Sequence, residues 1–279
     1  MKGVTIMGNK NNSLNVRMKE NYENRAKTYL TRRCPVIIRL DGRSFHTFLK
    51  GFKKPYDEIF HNAMNATMQY LCENIQGCKL GYTQSDEITL FLSDYETLAS
   101  DAWFDYNVQK MCSIAASMAT LAFNRVLEGE IYNYGRKRLN ADFDEEYYAT
   151  LRKKIAIGAM FDARVFNIPK EEVTNCVLWR QKDATRNAIQ MLGQTYFSQS
   201  QLSGKSNSDI QDMLMLEKGI NFNDMPVEFK RGTCCIRNYQ VCGPYGNYMY
   251  FKDLKDGEWG IDKNIPIFTE DREYVERLV

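Results

Sequence analysis

Along the chain, short β-branched runs alternate with longer stretches in which apolar residues recur every three or four positions. Val36 to Leu40 is a compact apolar run after Pro35 and predicts a buried strand. Past the Gly51 loop, Pro55 and Asp57 are helix-start signals, and Ile59, Phe60, Ala63, Met64, Met68 and Leu71 then share one helical face as far as Gly77. Two further strands are predicted over Lys79 to Thr83 and Ile88 to Leu92. The polar tetrad Gln84-Ser85-Asp86-Glu87 between them makes a hairpin with an acidic tip. Phe104, Val108, Met111, Ala115, Met118 and Ala122 line one face of a helix over Ala102 to Leu127, and a strand is expected over Ile155 to Phe161. This β-α-β-β-α-β order predicts an α+β fold, with both helices on one face of an antiparallel-containing sheet.

Beyond Arg164 the pattern turns helical, over Glu171 to Phe197 and Asp209 to Lys218, with the polar loop QSQLSGKSNS between. GTCCIRNYQV and NYMYFKD flank Gly243-Pro244-Tyr245-Gly246 and predict a closing β-hairpin. The expected organisation is a core over 30–165 and a mainly helical region over 166–279 ending in that hairpin, either a lobe or continuous with the core.

Composition changes this picture little. The 279 residues are 44% hydrophobic and 26% charged, which is ordinary for a globular chain able to bury its own core. No apolar run approaches a membrane span and the N-terminus has no signal-type apolar segment, so a cytoplasmic, membrane-free protein is expected. Eight cysteines without a CxxC pair read as reduced thiols, and two histidines, His46 and His61, make a histidine-based zinc site improbable. The net charge of +2 argues against a globally basic nucleic-acid coat. Basic clusters nonetheless recur at Arg32-Arg33, Lys53-Lys54, Arg136-Lys137-Arg138, Arg152-Lys153-Lys154 and Lys230-Arg231, apart from the acidic run Asp142 to Glu146.

The candidate chemistry sits where the apolar run CPVIIRLDGRSF ends on a carboxylate, Asp41. In the predicted topology the end of the first strand lies beside the hairpin tip, so Asp41 and Asp86 meet. Two adjacent carboxylates repel unless a cation lies between them. Magnesium suits the pair, because it takes one or two carboxylates while keeping waters and phosphate oxygens, and the Gly42 carbonyl could complete the set. Two such ions would support in-line phosphoryl displacement. The same residues also read as an Asp-Gly turn and a charged hairpin tip, and spacing alone does not separate the two.

The order RLDGRSFHTF, GFKKPYD, GYTQSDE, GAMFDARVFNIP, WRQKDATRN and KRGT, over Arg32 to Ile236, resembles the tRNA-His guanylyltransferase family. The resemblance implies a palm-like catalytic core, two Mg²⁺ ions, ATP and GTP or other NTPs as substrates, tRNA as partner and a homotetramer built as a dimer of dimers. It implies 3′-to-5′ addition of nucleotides to the RNA 5′ end. The metal ligands would be Asp41, the Gly42 carbonyl and Asp86, with Glu87 as the neighbouring catalytic acid. Nucleotide contacts would fall on Asp41, Gly42, Arg43, Ser44, Phe45, His46, Lys54, Ser85 and Asp86, with Lys110 a further cation. His46 between Phe45 and Phe48 also reads as a packed core residue, and Trp179 as a helix-packing residue or a base-stacking one.

Where eukaryotic members carry His-Ile-Asn-Asn-Leu-Tyr-Asn, tied to the histidine tRNA anticodon, this chain has Thr185-Arg186-Asn187-Ala188-Ile189-Gln190-Met191. The pattern is more similar to the guanylyltransferase-like proteins of bacteria and archaea, which implies template-dependent repair of 5′-truncated tRNA. Arg180, Lys182, Arg186, Lys205, Lys230 and Arg231 are the candidate RNA contacts in the C-terminal region. The rival readings are single-guanine addition to tRNA-His, a palm-fold nucleotide cyclase and a non-catalytic tRNA-binding module.

Overall fold

The computed structural model describes residues 13–278 except 140, 142, 239, 244, 245, 250 and 252. After a short helix α1 (Leu14–Met18), strand β1 (Val36–Gly42) runs into one turn of helix, α2 (Phe45–Phe48), and then α3 (Glu58–Asn74). Asp57 caps α3 by accepting from the Phe60 N–H at 3.0 Å. Strands β2 (Cys78–Gln84) and β3 (Glu87–Leu92) form the expected hairpin, closed by Ser85 and Asp86. The long helix α4 (Val108–Gly135) starts later than its apolar periodicity suggested. Phe104, Asp105 and Tyr106 before it have positive φ, which a helix does not tolerate, and Asn107 supplies the cap.

The strand expected over Ile155 to Phe161 is corrected. Ile155 to Ile157 end a helix, α5 (Glu145–Ile157), capped by Asp144, and Gly158 at φ +67° stops it. Tyr147, Leu151 and Lys154 already form its buried face, so the apolar Ile-Ala-Ile run completes a helical pattern. Strand β4 (Phe161–Asn167) follows, and then α6 (Val173–Tyr196), α7 (Gln199–Leu202), α8 (Asn207–Lys218) and α9 (Val227–Arg231). Ser206 and Asp209 close a capping box on α8.

The final hairpin is also redrawn. Thr233–Arg237 forms β5, which pairs with β2 in the main sheet. The hairpin consists of β6 (Gln240–Gly243) and β7 (Gly246–Met249), and its expected turn residues Pro244 and Tyr245 lie outside the described residues, as does Asp142 of the acidic run. The chain continues into β8 (Trp259–Asp262), which pairs with β5, and α10 (Glu273–Glu276).

Six strands form one antiparallel sheet in the order β4-β1-β3-β2-β5-β8. The α+β expectation holds. Strand alternation sends Val36, Ile38, Leu40, Leu90 and Leu92 against Met64, Met68 and Leu71 of α3 and Met111, Ala115 and Phe123 of α4. Ile37, Leu80, Tyr82 and Phe91 face the other way, against Val173 and Val177 of α6 and Tyr274 and Val275 of α10. A third cluster joins Ala188, Ile189 and Leu192 of α6 to Ile210 and Leu214 of α8, which fixes how α6 leans over one end of the sheet.

Candidate active site

The penultimate residue of β1 is Asp41, whose Cα stands opposite Glu87 on β3 and opposite Asp162 on β4. The next residue, Gly42, donates its N–H to the Asp86 carbonyl at 3.1 Å, so the end of β1 is tied to the hairpin tip. A Cβ on Gly42 would lie 2.3 Å from the Phe45 ring, so only glycine lets the backbone pass here. Ser44 (φ +57°) and Ser85 (φ +50°) are left-handed, placing backbone strain at both turns that carry the carboxylates.

Asp86 feels the charge of Asp41. Burial pushes the Asp86 carboxyl above the usual carboxylate range, a hydrogen bond from its own backbone N–H holds it back, and the negative charge of Asp41 adds to the upward push. No described cationic side chain forms an ion pair with Asp86, while Arg164 Nη2 approaches Asp41 at only 3.8 Å. A pair of acidic groups is therefore held together with little compensating positive charge.

Asp86 opens into a cleft of about 610 Å³. Its walls come from the α2 to α3 loop, α3, the hairpin tip, α6 and α9. Of the expected nucleotide-contacting residues, Phe45, His46, Lys54, Ser85 and Asp86 line it, joined by Lys50 and Lys53. His46 is exposed rather than packed in the core, with its ring nitrogen 3.0 Å from Thr47 Oγ1. Arg43 is exposed beside β4, its N–H donating to the Met160 carbonyl at 2.9 Å.

Several expected site residues lie elsewhere. Lys110 is in the first turn of α4, with Nζ 5.8 Å from the centre of the Phe104 ring. Phe123, which packs on Phe45, lies more than three turns further along, roughly 20 Å, so Lys110 belongs to the opposite end of the sheet. Arg180 is buried and faces Glu87, out of reach of a bound RNA. Glu87 is itself buried between Arg39 and Arg180, one residue behind Asp86. Trp179 lies against the guanidinium groups of Arg180 and Arg39, at 4.5 and 5.4 Å, with its outer face exposed. Lys182, Arg186 and Lys205 are exposed, whereas Lys230 donates to the Asn223 carbonyl and the Arg231 carbonyl accepts from Tyr82 Oη at 2.5 Å.

Other cleft residues escaped the sequence reading. His61 stacks on Tyr56 with ring centres 4.1 Å apart, and burial pushes its imidazole down to about 4, against the opposing charges of Glu228 and Asp57. Asn187, Gln190 and Gln194 line the cleft from α6. Their helical-face spacing was visible, but a search for charge passes over amides.

A family model described as Thg1: tRNAHis guanylyltransferase matches residues 15–169. The chain belongs to the tRNA-His guanylyltransferase family. It is similar to a bacterial tRNA(His) guanylyltransferase (Thg1)-like protein solved in complex with ATP, at 40% identity and TM-score 0.76, covering 96% of this chain and 99% of that one. A second such structure, in complex with GTP, is 37% identical with TM-score 0.71, covering 94% and 96%. The probable tRNA(His) guanylyltransferase of Drosophila melanogaster is 25% identical over 224 residues, 75% of this chain and 68% of that protein. As a member of this family the protein is a nucleotidyltransferase.

Proposed function

We propose that this guanylyltransferase-family member adds nucleotides in the 3′-to-5′ direction to the 5′ end of tRNA, copying the opposite acceptor strand. The observation that carries the reading is the tie of Gly42, next to Asp41, to the Asp86 carbonyl at the hairpin tip, where Asp86 opens into a lysine-lined cleft. In a first step the RNA 5′-phosphate attacks the α-phosphorus of ATP and displaces pyrophosphate. In the second, the 3′-hydroxyl of an incoming nucleotide attacks the RNA phosphorus, loses its proton and releases AMP. The departure from the anticodon-linked motif over Thr185 to Met191 supports repair of truncated tRNAs over single-guanine addition to one tRNA.

No described cluster gathers three or more His, Cys, Asp or Glu ligands, and magnesium does not need one. Asp41, Asp86 and the Gly42 carbonyl would hold Mg²⁺, and their weakly compensated charge fits that role. Bound there, the ion would lower the cost of charge on the transferring phosphoryl oxygens. The protein supplies position and charge: Lys50 and Lys54 line the cleft where phosphates would lie, the Lys53 amine resting instead over the Tyr147 ring, and His46 and Ser85 offer hydrogen bonds at its edge. Strands β4-β1-β3-β2, with α3 and α4 behind them, supply the rigid support of a palm-like core.

The test is incubation of a 5′-labelled, 5′-truncated tRNA with Mg²⁺, ATP and the four NTPs. Extension that stops where the opposite strand ends, and disappears in Asp41→Asn and Asp86→Asn, is expected. Addition of one guanine to tRNA-His alone would replace the repair reading, cyclic nucleotide formed without RNA would point to a cyclase, and tRNA retention without extension to a binding module.

A further inference from the structure

Asp86 lines the cleft, whereas Asp41 does not. Alternation along β1 puts Asp41 on the side of the sheet that α6 packs against, together with Ile37 and Arg39, and only about 7 Å beyond Arg39 along the strand. Arg39 stands opposite Arg164 on β4, and Arg164 Nη2 lies 3.8 Å from Asp41 and 3.5 Å from Asp162. Over this part of the sheet lies Trp179. The guanidinium carbons of Arg180 and Arg39 are 4.5 and 5.4 Å from the centre of its ring, and both groups also bind the buried Glu87 carboxylate. The indole is therefore fastened in place while the residue stays 52% exposed; Trp103 and Trp259, at 7%, belong to the core. Two solvent-exposed cations stand beside it, Arg164 on β4 and Lys182, which is one turn further along α6.

We propose that Trp179 stacks on an unpaired base of the RNA strand opposite the 5′ end, at the first position beyond the last base pair. The inference rests on the tRNA-extending reading above and adds to it a residue that holds the opposite strand. An indole fixed over a sheet and open to solvent is a platform for a base, and because every base has a π-face such stacking holds the strand without selecting its sequence. Paired bases keep their faces against their neighbours, whereas the single-stranded end of an acceptor stem offers bases free to lie on an aromatic ring. The cations beside the ring suit the phosphates of that strand, and Asp41, on the same side of the sheet, is where the RNA 5′ end meets the proposed metal. A free nucleoside triphosphate is the poorer occupant, because Trp179 stands outside the cleft whose lysines would take its phosphates.

Equilibrium binding of acceptor-stem hairpins to the full-length protein tests this with three RNAs: a blunt hairpin, one with a single-stranded 3′ overhang, and one whose overhang is abasic at its first unpaired position. Trp179→Ala should weaken the intact overhang about tenfold, leave the blunt hairpin and ATP within about twofold, and bind the abasic overhang as the wild type does. Trp179→Phe, which keeps an aromatic face, should retain most of the affinity. If Trp179→Ala binds the overhang like the wild type, the stacking inference is overturned. It is overturned equally if the blunt hairpin weakens in parallel, which would make the ring a structural support, or if the abasic position costs the variant as much as it costs the wild type. Wild-type extension of truncated tRNA, measured on the same preparation, separates the two readings: with extension present, any of these results removes the stacking inference alone, and a wild type that neither binds nor extends RNA removes both.

Discussion

Arg180 Nε lies 2.6 Å from Glu87 Oε1, with the two side chains only 3% and 6% exposed. Arg39 Nη2 reaches the same carboxylate at 2.6 Å from the strand side, and Asp183 takes a second Arg180 nitrogen at 2.8 Å. Glu87 is the first residue of β3 and follows Asp86 directly, so this interior network anchors the hairpin that carries the proposed metal-binding carboxylate. Removing one partner leaves a buried charge unmatched. Arg180→Leu should therefore cost roughly 3–5 kcal/mol, and the double change Arg180→Leu/Glu87→Leu should recover much of that loss. Urea denaturation of the two variants decides it; equal loss in both would place the energy in packing.

His61 sets a limit on acid stability. Its imidazole is neutral in the folded protein, with its pKa pushed down to about 4 by burial beneath Tyr56, whereas in the unfolded chain it protonates near the ordinary value. The unfolded state thus binds more protons below about pH 6.5, and the stability present above that value is lost as pH falls towards 4. The loss from this residue should be up to about 3 kcal/mol, at 1.36 kcal/mol per pK unit. Denaturant midpoints measured from pH 7 to 4 should fall more steeply for the wild type than for His61→Gln.

Much of the geometry around the candidate site was legible in the sequence because its signals are local. A short apolar run that stops on Asp41, and a polar tetrad between two strands, are readable without knowing the rest of the fold. The β1 to β3 register then follows from the hairpin. What was not legible depends on distant pairing. β5 joins the sheet beside β2 through Leu80 and Ile236, and nothing near Ile236 distinguishes it from half of a local hairpin. Ile155 to Phe161 is apolar enough for a strand, and Gly158 decides where helix ends and strand begins. Lys110 illustrates the opposite error, a cation assigned by its chemistry although the length of α4 separates it from the site.

Gly42 is a position where the site and the core meet. A methyl group there would lie 2.3 Å from the Phe45 ring, which is enclosed by Phe48, Phe123 and Phe161 at ring distances of 5.3, 5.5 and 5.2 Å and so cannot withdraw. Gly42→Ala should cost roughly 1–3 kcal/mol by overpacking. It should also reduce extension by more than about tenfold, because the shifted backbone carries the carbonyl that faces the proposed metal. Gly129, where an added methyl group would meet no atom within 4 Å, is the control: Gly129→Ala should be neutral or stabilising by up to about 1 kcal/mol, and thermal melts of both variants compare them directly.

The exposed cations near α6 carry the prediction for RNA. Lys182, Arg186 and Lys205 project to solvent, while Arg180 is committed to Glu87 and Lys230 to a backbone carbonyl. Arg186 is also paired with Asp183, an exposed link that a phosphate can replace at small cost. Each phosphate contact made by such a residue releases counterions, so log affinity falls with log salt by about 0.7 to 0.9 per contact. The triple change Lys182→Ala/Arg186→Ala/Lys205→Ala should weaken tRNA binding at low salt and flatten the salt slope by about two to three units, to the same degree for tRNAs of different sequence. Lys230→Ala should leave the slope nearly unchanged, because its amine is already engaged within the protein. Filter binding across a salt series reads both results, and a triple variant with the wild-type slope would move the RNA surface away from α6.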